Sequence, residues 1–365
     1  MRTPNEPERA DRGARSTYQQ DRIIASVRKG ILDGSWAPGT RLPTRLEMQV
    51  RFSAASVTVQ RALDRLIADG FVVSRGRLGT FVVEHPPSTC HYALFIPWEP
   101  GKETVHFWTA LANEARAITR RAGPRRVSVF VGANGNADSE GQRRLIRDLR
   151  LQRLAGIIFA VNPFQVMDTP VVTHPGVPRI AIMDTPIKGI AAAALDHDEF
   201  FAKALDHFQA RRRTRVAVLS VHGAEGQYRK RTLDGLAARC LVTRPYWWHT
   251  IDPVNAIGAR AIAHLLMNRS QHERPDALLI SDDNLVEHAT EGLRASGVRV
   301  PEDVDVVVHC NFPWPTPSVL PVRRLGFDAR DVLDRCLQWI DATRAGAAPG
   351  QIVRVPARFE DESSP

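Results

Sequence analysis

Between residues 56 and 61 the chain places Ser56, Val57, Gln60 and Arg61 opposite an apolar stripe of Val59, Ala62, Leu63, Leu66 and Ile67. A hydroxyl, an amide and a guanidinium in the first turn of a helix suit hydrogen bonding to base edges in a major groove. Thr58 counts with this set. Arg75 and Arg77 follow at a glycine-rich tip, Gly76-Arg77-Leu78-Gly79, with Thr80 just after it. Cations there suit phosphates or a minor groove.

Such residues need a rigid frame, and the flanking pattern supplies one. Thr44-Arg45-Leu46-Glu47 has capping-box spacing, so a helix starts after Pro43 and ends near Phe52. Leu46, with Met48 or Val50, is expected to turn inward. An earlier helix over 22–32 carries Ile23, Ile24, Val27, Ile31 and Leu32 on one face and stops at Gly34. After Gly70, the β-rich runs 71–75 and 80–83 flank the tip as a hairpin. The order helix, capped helix, helix, hairpin describes a winged helix-turn-helix over residues 18–84. Residues 1–17 are expected to be a disordered basic arm and 85–89 a Pro-rich linker.

Charge agrees with this placement. Residues 1–90 hold 14 Arg or Lys against 9 Asp or Glu, which is +5 of the chain's net +9. A polyanion is therefore the natural partner of the first quarter. Cys90, Cys240, Cys310 and Cys336 are scattered without metal-ligand spacing and are expected to be buried free thiols in a reducing compartment. No stretch is apolar for long enough to span a membrane, and the first residues lack the apolar core of a secretory signal. The protein is expected in the cytoplasm, away from membranes and without a bound metal or cofactor.

Residues 90–365 alternate between two patterns. Runs 91–97, 127–131, 156–160, 179–183, 215–220, 277–281 and 305–310 read as strands. Runs 109–122, 140–151, 199–210, 230–239, 255–266 and 284–296 read as helices. This is an α/β order, with parallel sheets covered by helices on both faces. Its length implies two lobes.

The head resembles the GntR family of bacterial winged-helix regulators. The resemblance rests on Leu42-Pro43-Thr44, on Val57-Thr58-Val59-Gln60-Arg61-Ala62-Leu63-Asp64-Arg65-Leu66, on Asp69-Gly70-Phe71-Val72 and on Gly79-Thr80-Phe81-Val82. It implies DNA contacts from Thr44, Arg45, Ser56, Val57, Thr58, Gln60, Arg61, Arg75, Arg77, Gly79 and Thr80. Three arginines usual in the family are altered. Leu46 fills the slot after the usual Ser-Glu, Ser56 stands where the recognition helix usually begins with Ser-Arg, and Gln60 replaces the later arginine. A different operator is expected, with Gln60 able to read adenine.

The body resembles the effector domain of the lactose-repressor family, itself similar to periplasmic sugar-binding proteins. The segments are Leu154-Ala155-Gly156-Ile157-Ile158-Phe159, Ser281-Asp282-Asp283 and Gly297-Val298-Arg299-Val300-Pro301-Glu302-Asp303-Val304. With the head, the combination resembles the arabinose-repressor type of regulator. The resemblance implies a ligand cleft between lobes, with Trp98, Phe107, Trp108, Asp184, Arg229, Arg231, Asp283 and Asn311 facing a small molecule, a sugar by preference. The tryptophans, Trp247 and Trp248 included, have a second reading as core aromatics, and Asp196 a second reading as a turn cap. The functions expected are a DNA-binding regulator, a repressor acting as a homodimer under a small effector. The alternatives are a fusion to a pyridoxal-phosphate enzyme and an effector domain that senses a protein partner. Lys102, Lys188, Lys203 and Lys230 are the only lysines past the linker, none in a Schiff-base setting. No nucleophile elbow, phosphate loop or metal cluster accompanies them, so no catalysis is expected.

Overall fold

The computed structural model describes residues 6–97, 105–132, 139–221 and 226–362. The head contains α1 (Glu6–Leu32), α2 (Arg45–Phe52) and α3 (Ser56–Ala68), then β1 (Val72–Ser74) and β2 (Thr80–Val82) paired antiparallel as a wing. Ile23, Ile24, Val27 and Ile31 of α1 meet Val59, Ala62, Leu63 and Leu66 of α3, and Phe71, Val72 and Val82 close the base. α2 starts with the expected reciprocal cap. The Glu47 amide donates to Thr44 Oγ1 at 3.3 Å, and the Thr44 amide donates to the Glu47 carboxylate at 2.7 Å.

The helical path departs from expectation in three places. α1 begins at Glu6, so most of the supposed arm over 1–17 is helical; its Glu, Arg, Ala and Gln residues are good helix formers. In α2, Met48 and Phe52 point inward, whereas Leu46 and Val50 point out. The alternation is set by the direction in which α2 crosses α3, which its own eight residues do not encode. The linker is also structured. It forms a short turn of helix, α4 (Pro87–Cys90), with Ser88 and Cys90 buried against the body.

The body has two lobes. In the first, β3 (His91–Ile96), β4 (Arg126–Val131), β5 (Gly156–Phe159), β6 (Arg179–Ile182) and β7 (Ala191–Leu195) are alternated with α5 (His106–Arg120), α6 (Glu140–Arg150) and α7 (Pro170–Thr173). The chain crosses to the second lobe at α8 (His197–Ala210). There β8 (Val216–Ser220), β9 (Trp248–Thr250), β10 (Ala277–Ile280), β11 (Asp305–Phe312) and β12 (Arg323–Asp328) carry α9 (Gln227–Ala238), α10 (Gly258–Leu266) and α11 (Val286–Ala295). α12 (Ala329–Arg344) returns to the first lobe and leads to β13 (Ile352–Val355); β14 (Arg358–Phe359) closes the second sheet.

The sheets run β13-β7-β6-β5-β3-β4 and β14-β12-β11-β10-β8-β9. All their neighbouring strands are parallel except β12 and β14. β5, β8 and β10 are buried along their whole length, as parallel strands covered on both faces must be. Ile340 and Cys336 of α12 lie in the same apolar cluster as Tyr92 and Leu94 of β3, so the returning helix completes the first lobe's core. Among the described residues no helix is long and apolar enough to cross a membrane, and no group of His, Cys, Asp and Glu could hold a metal ion.

Head and body meet at Asp69, which caps the end of α3. Its buried carboxylate accepts hydrogen bonds from Arg28 of α1 and Arg153 of the first lobe, and from Arg65 Nε at 3.2 Å. Burial lowers the Arg28 guanidinium below its usual range, and the adjacent Asp69 charge opposes that loss. Removing one partner of such a buried pair leaves an uncompensated charge and costs about 3–5 kcal/mol. Asp69→Ala is therefore expected to lower head stability by about that amount in urea unfolding. Arg153→Ala is expected to leave the head folded but to speed protease cleavage around residues 84–88; unchanged cleavage would show that Arg153 does not hold the head to the lobe.

Candidate nucleic-acid interface and ligand cleft

The outward face of the head carries Arg45, Ser56, Val57, Arg61, Arg75 and Arg77, all exposed, and Thr44 at the α2 cap. Arg75 is steadied by the Phe81 ring, with its guanidinium 4.8 Å from the centroid. Arg77 sits in the turn between the wing strands. Gly79 has φ 110°, and a Cβ there would lie 2.9 Å from Arg41 Nε, so the tight tip requires glycine. Its role is to shape the wing. Thr80 is half-buried in β2, and its carbonyl accepts from the Leu42 amide at 2.8 Å.

Two expected base readers are turned away. Thr58 is 4% exposed, and its hydroxyl lies 3.2 Å from Ser16 Oγ of α1. It sits one position before Val59 on the buried side, so it joins α3 to α1 and presents nothing to a groove. Gln60 lies along its own helix, with Nε2 donating to Asp64 at 2.6 Å and its oxygen covered. Reading adenine requires it to release Asp64. Arg41, absent from the expected set, is exposed beside Gly79 and bridges to Phe81 across the wing. Its signal was its place just before Leu42-Pro43, which looks like plain loop until the wing folds back on it.

In the body the expected cleft residues fall into two groups at the lobe junction. Asp184, at the end of β6, and Arg231 of α9 line a cavity of about 410 Å³ with Asp196, His197, Asp198 and Arg354. Arg231 donates to both Asp198 oxygens, at 2.9 and 2.8 Å. Asp196 caps α8 by accepting from the Glu199 amide at 3.0 Å, so its turn-cap reading holds, although it also lines the cavity.

The second group is buried. Asn311, 1% exposed at the end of β11, donates from Nδ2 to Asp283 Oδ2 at 2.6 Å; Asp283 is 2% exposed. Thr316 Oγ1 and His106 Nδ1 approach the same oxygen at 3.5 and 3.9 Å. The His106 amide, at the start of α5 in the other lobe, donates to Asn284 at 3.2 Å. Trp314 Nε1 donates to buried Glu114 of α5 at 3.1 Å. These contacts tie the Pro-rich loop after β11 to the first lobe.

Other expected contacts lie elsewhere. Arg229 places its guanidinium 5.4 Å from the Trp248 ring, within the second lobe. Phe107 and Trp108 are half-buried against the first lobe's core, and Trp247 and Trp248 are core aromatics. Trp98 lies outside the described residues. Cys240 is exposed, at a left-handed helix end, whereas the other three cysteines are buried.

Histidines connect the two groups, and the sequence reading did not single them out. His197 lines the polar cavity, and His309 lies between Phe200 and Phe327, 4.0 Å from Asp283. Burial pushes His309 down to about 3, with His197 nearby adding to the shift. Burial also lowers His197, although Asp184, Asp196 and Asp198 oppose it. Asp283 is raised, by burial first and by Asp282 second. A neutral imidazole and a carboxyl held towards its protonated form suit uncharged polar recognition. Asn311 Oδ1 and His309 Nδ1 are buried with no hydrogen-bond partner among the described residues.

Residues 19–82 match the family model for bacterial regulatory proteins, gntR family, and residues 205–364 match that for a periplasmic binding protein-like domain. Among curated relatives, the HTH-type transcriptional regulator TauR of Rhodobacter capsulatus is 37% identical over 68 residues, 19% of this chain and 14% of that protein. The HTH-type transcriptional regulator Rv1152 of Mycobacterium tuberculosis is 37% identical over 68 residues, 19% of this chain and 56% of that one. These matches cover the head alone and less than two thirds of either relative. Among solved structures, a LacI family transcriptional regulator from Arthrobacter with lactose superposes with a TM-score of 0.57 at 17% identity, over 74% of this chain and 97% of that one. One from Lactobacillus casei with bound glucose gives a TM-score of 0.55 at 19% identity, over 74% and 98%. The chain thus joins a GntR helix-turn-helix domain to a periplasmic-binding-protein-like domain.

The histidines fix a pH window. His309 folds neutral, with its value depressed from an unfolded value near 6.5, so the unfolded chain binds the extra proton between about 3 and 6.5. Stability contributed by the neutral ring is complete above about 6.5 and is lost as pH falls below it. At pH 5 the loss is about 2 kcal/mol. Asp283, raised to about 8, takes up a proton on folding over the same range and contributes with the opposite sign. The His309 share is therefore read as a difference: between pH 7.5 and 5 the wild type is expected to lose about 2 kcal/mol relative to His309→Phe, which keeps a ring beside Phe200 and Phe327, in urea unfolding.

Proposed function

We propose that the chain is a transcription regulator, a repressor, that binds operator DNA through α3 and the wing and responds to a polar small molecule at the lobe junction. The observation that carries this is the joining of two surfaces in one rigid route. An exposed arginine-rated face on α2, α3 and the wing is latched through Asp69 and Arg153 to the lobe whose far edge borders the polar cavity.

The effector proposed is an uncharged polyol of sugar type. Asp184, Asp196 and Arg231 offer acceptors and donors around the cavity, and Asn311 Oδ1 offers a further acceptor deeper in the junction. The lactose and glucose held by the two solved relatives support this class. Asp283 and Asn311 are already joined to each other and covered by His106 and Thr316. A ligand that reaches them must separate those contacts, and it shifts the lobes only as far as it prefers the separated state. In a homodimer such a movement alters the spacing of two heads, which must match two half-sites.

Fluorescence anisotropy with duplexes from upstream of its own coding sequence tests the first half. Selective binding that weakens steeply with salt is expected, and Arg77→Ala should weaken all sequences alike and reduce the salt slope by about one. Binding that does not distinguish sequences would refute a regulator. For the second half, a sugar at about 100 times its Kd should stabilise the protein by about 2.7 kcal/mol in thermal melts. Asp184→Asn should weaken that stabilisation, read as the ligand-induced shift from the variant's own melting temperature.

A further inference from the structure

Large apolar side chains exposed on the head include Leu46 at 70%, Val50 at 75%, Val57 at 62% and, at the wing tip, Leu78 at 66%. Leu46 and Val50 are one turn apart on α2, on the side away from buried Met48 and Phe52. Val57 stands in the first turn of α3, opposite the stripe that packs on α1. Exposed arginines accompany them in the same module: Arg45 on α2, Arg61 on α3, and Arg75 and Arg77 on the wing. Exposed apolar side chains in a module this rich in exposed cations would meet the same cations on a second copy of this chain and be repelled. Such a surface is complementary to a polyanion that carries apolar groups. In duplex DNA the apolar group on a base edge is the thymine C5-methyl, which projects into the major groove.

The polar side chains of the same turn are already engaged in the free protein. Thr58 is buried against Ser16, and Gln60 lies on Asp64, a contact it must release to reach a base. Asp64 itself brings a negative charge towards the phosphates. Ser56 and Arg61 are left to hydrogen-bond to bases, and Val57 is the large side chain that reaches out between them. We infer that Val57, with Leu46 of the preceding helix, selects operators by contact with thymine methyl groups where the first turn of α3 enters the groove. The inference rests on the DNA-binding reading above and adds what that reading leaves open, namely which base feature is read.

The test uses the full chain. Bound duplexes are selected from a random library, and each thymine of the selected half-site is then replaced by uracil, which removes the methyl alone. Uracil at one or two positions is expected to weaken binding about fourfold each, the value of one buried methylene. V57A should lose a similar factor on the thymine site and become indifferent to uracil at one of those positions, with an unchanged circular dichroism spectrum. L46A should do the same at a neighbouring position; a uracil profile unchanged in L46A overturns the part assigned to Leu46. Equal affinity for thymine and uracil throughout, or the same uracil penalty in the wild type and V57A, overturns the inference while DNA binding stands. Failure to enrich any sequence overturns the DNA-binding reading first. Sedimentation of the free protein supplies the remaining arm: loss of self-association in the double variant L46S/V57S would assign the patch to a second copy and overturn the inference.

Discussion

The whole molecule is organised around one buried carboxylate. Asp69 ends the recognition helix and takes Arg28 from α1, Arg65 from its own helix and Arg153 from the first lobe. A lone buried carboxylate is costly, so each arginine is held in place by the others' need for the same charge. Arg28 sets the angle of α3 against α1, and Arg153 sets the angle of the head against the body. The exposed face of α3 is thereby joined to the lobe that carries Arg153, and the short α4 turn, with Ser88 buried, runs beside this contact.

The lobe junction shows the opposite economy. Asp69 is saturated with donors, whereas Asp283 shares its oxygens with an amide, a hydroxyl and two imidazoles at long range. Asn311 Oδ1 and His309 Nδ1 stay unpaired in the same neighbourhood. An unsatisfied buried acceptor costs on the order of 1–3 kcal/mol, and a ligand hydroxyl can recover it. That is how one fold holds a stiff contact at one end of the first lobe and a contact open to exchange at its other end.

How much of this is legible before folding depends on whether a residue's role is local. The stripes of α1 and α3, the Thr44–Glu47 cap and the wing tip are set by neighbours within a few residues and stand as the pattern predicts, except that Leu32 and Ile67, at the last turns of the two helices, are exposed where no partner reaches them. Asp283 and Asn311 sit at strand ends, and parallel sheets bring strand ends together, so their meeting also follows from pattern. Roles fixed by a distant partner are illegible. Thr58 looks outward-facing until α1, starting at Glu6, lies across it. Arg229 looks like a cleft cation until β9 brings Trp248 under it. The alanine run of β7 favours helix by propensity and becomes strand because β6 and β13 enclose it on both sides. Beyond residue 310 the pattern names no element, and the place of α12 depends on Tyr92, Leu94 and the rest of a core laid down over two hundred residues earlier.

The direction of the strands then decides how the two ends communicate. His91, Arg126 and Arg153 lie at the starts of β3, β4 and just before β5, and together with Asp69 they line a cavity of about 720 Å³ under the head. Asp184 lies past the end of β6, on the cleft side of the same sheet. Head and polar cavity therefore occupy opposite edges of one parallel sheet whose interior strands are buried on both faces. A close-packed sheet of this kind moves as a body and does not flex strand by strand. Under the proposed function, movement at the cleft would reach the head as rotation of the first lobe against the second, about the three chain crossings between β7 and α8, β12 and α12, and β13 and β14. A lone molecule gains nothing from that rotation, because its head turns with its lobe. The rotation acquires meaning when second lobes are fixed to one another, so that turning each first lobe changes the distance between two reading faces. Under the proposed function, the latch at Asp69 and the pairing of copies would be parts of one requirement: without the latch the rotation would stop at the linker, and without the pairing it would have nothing to be measured against.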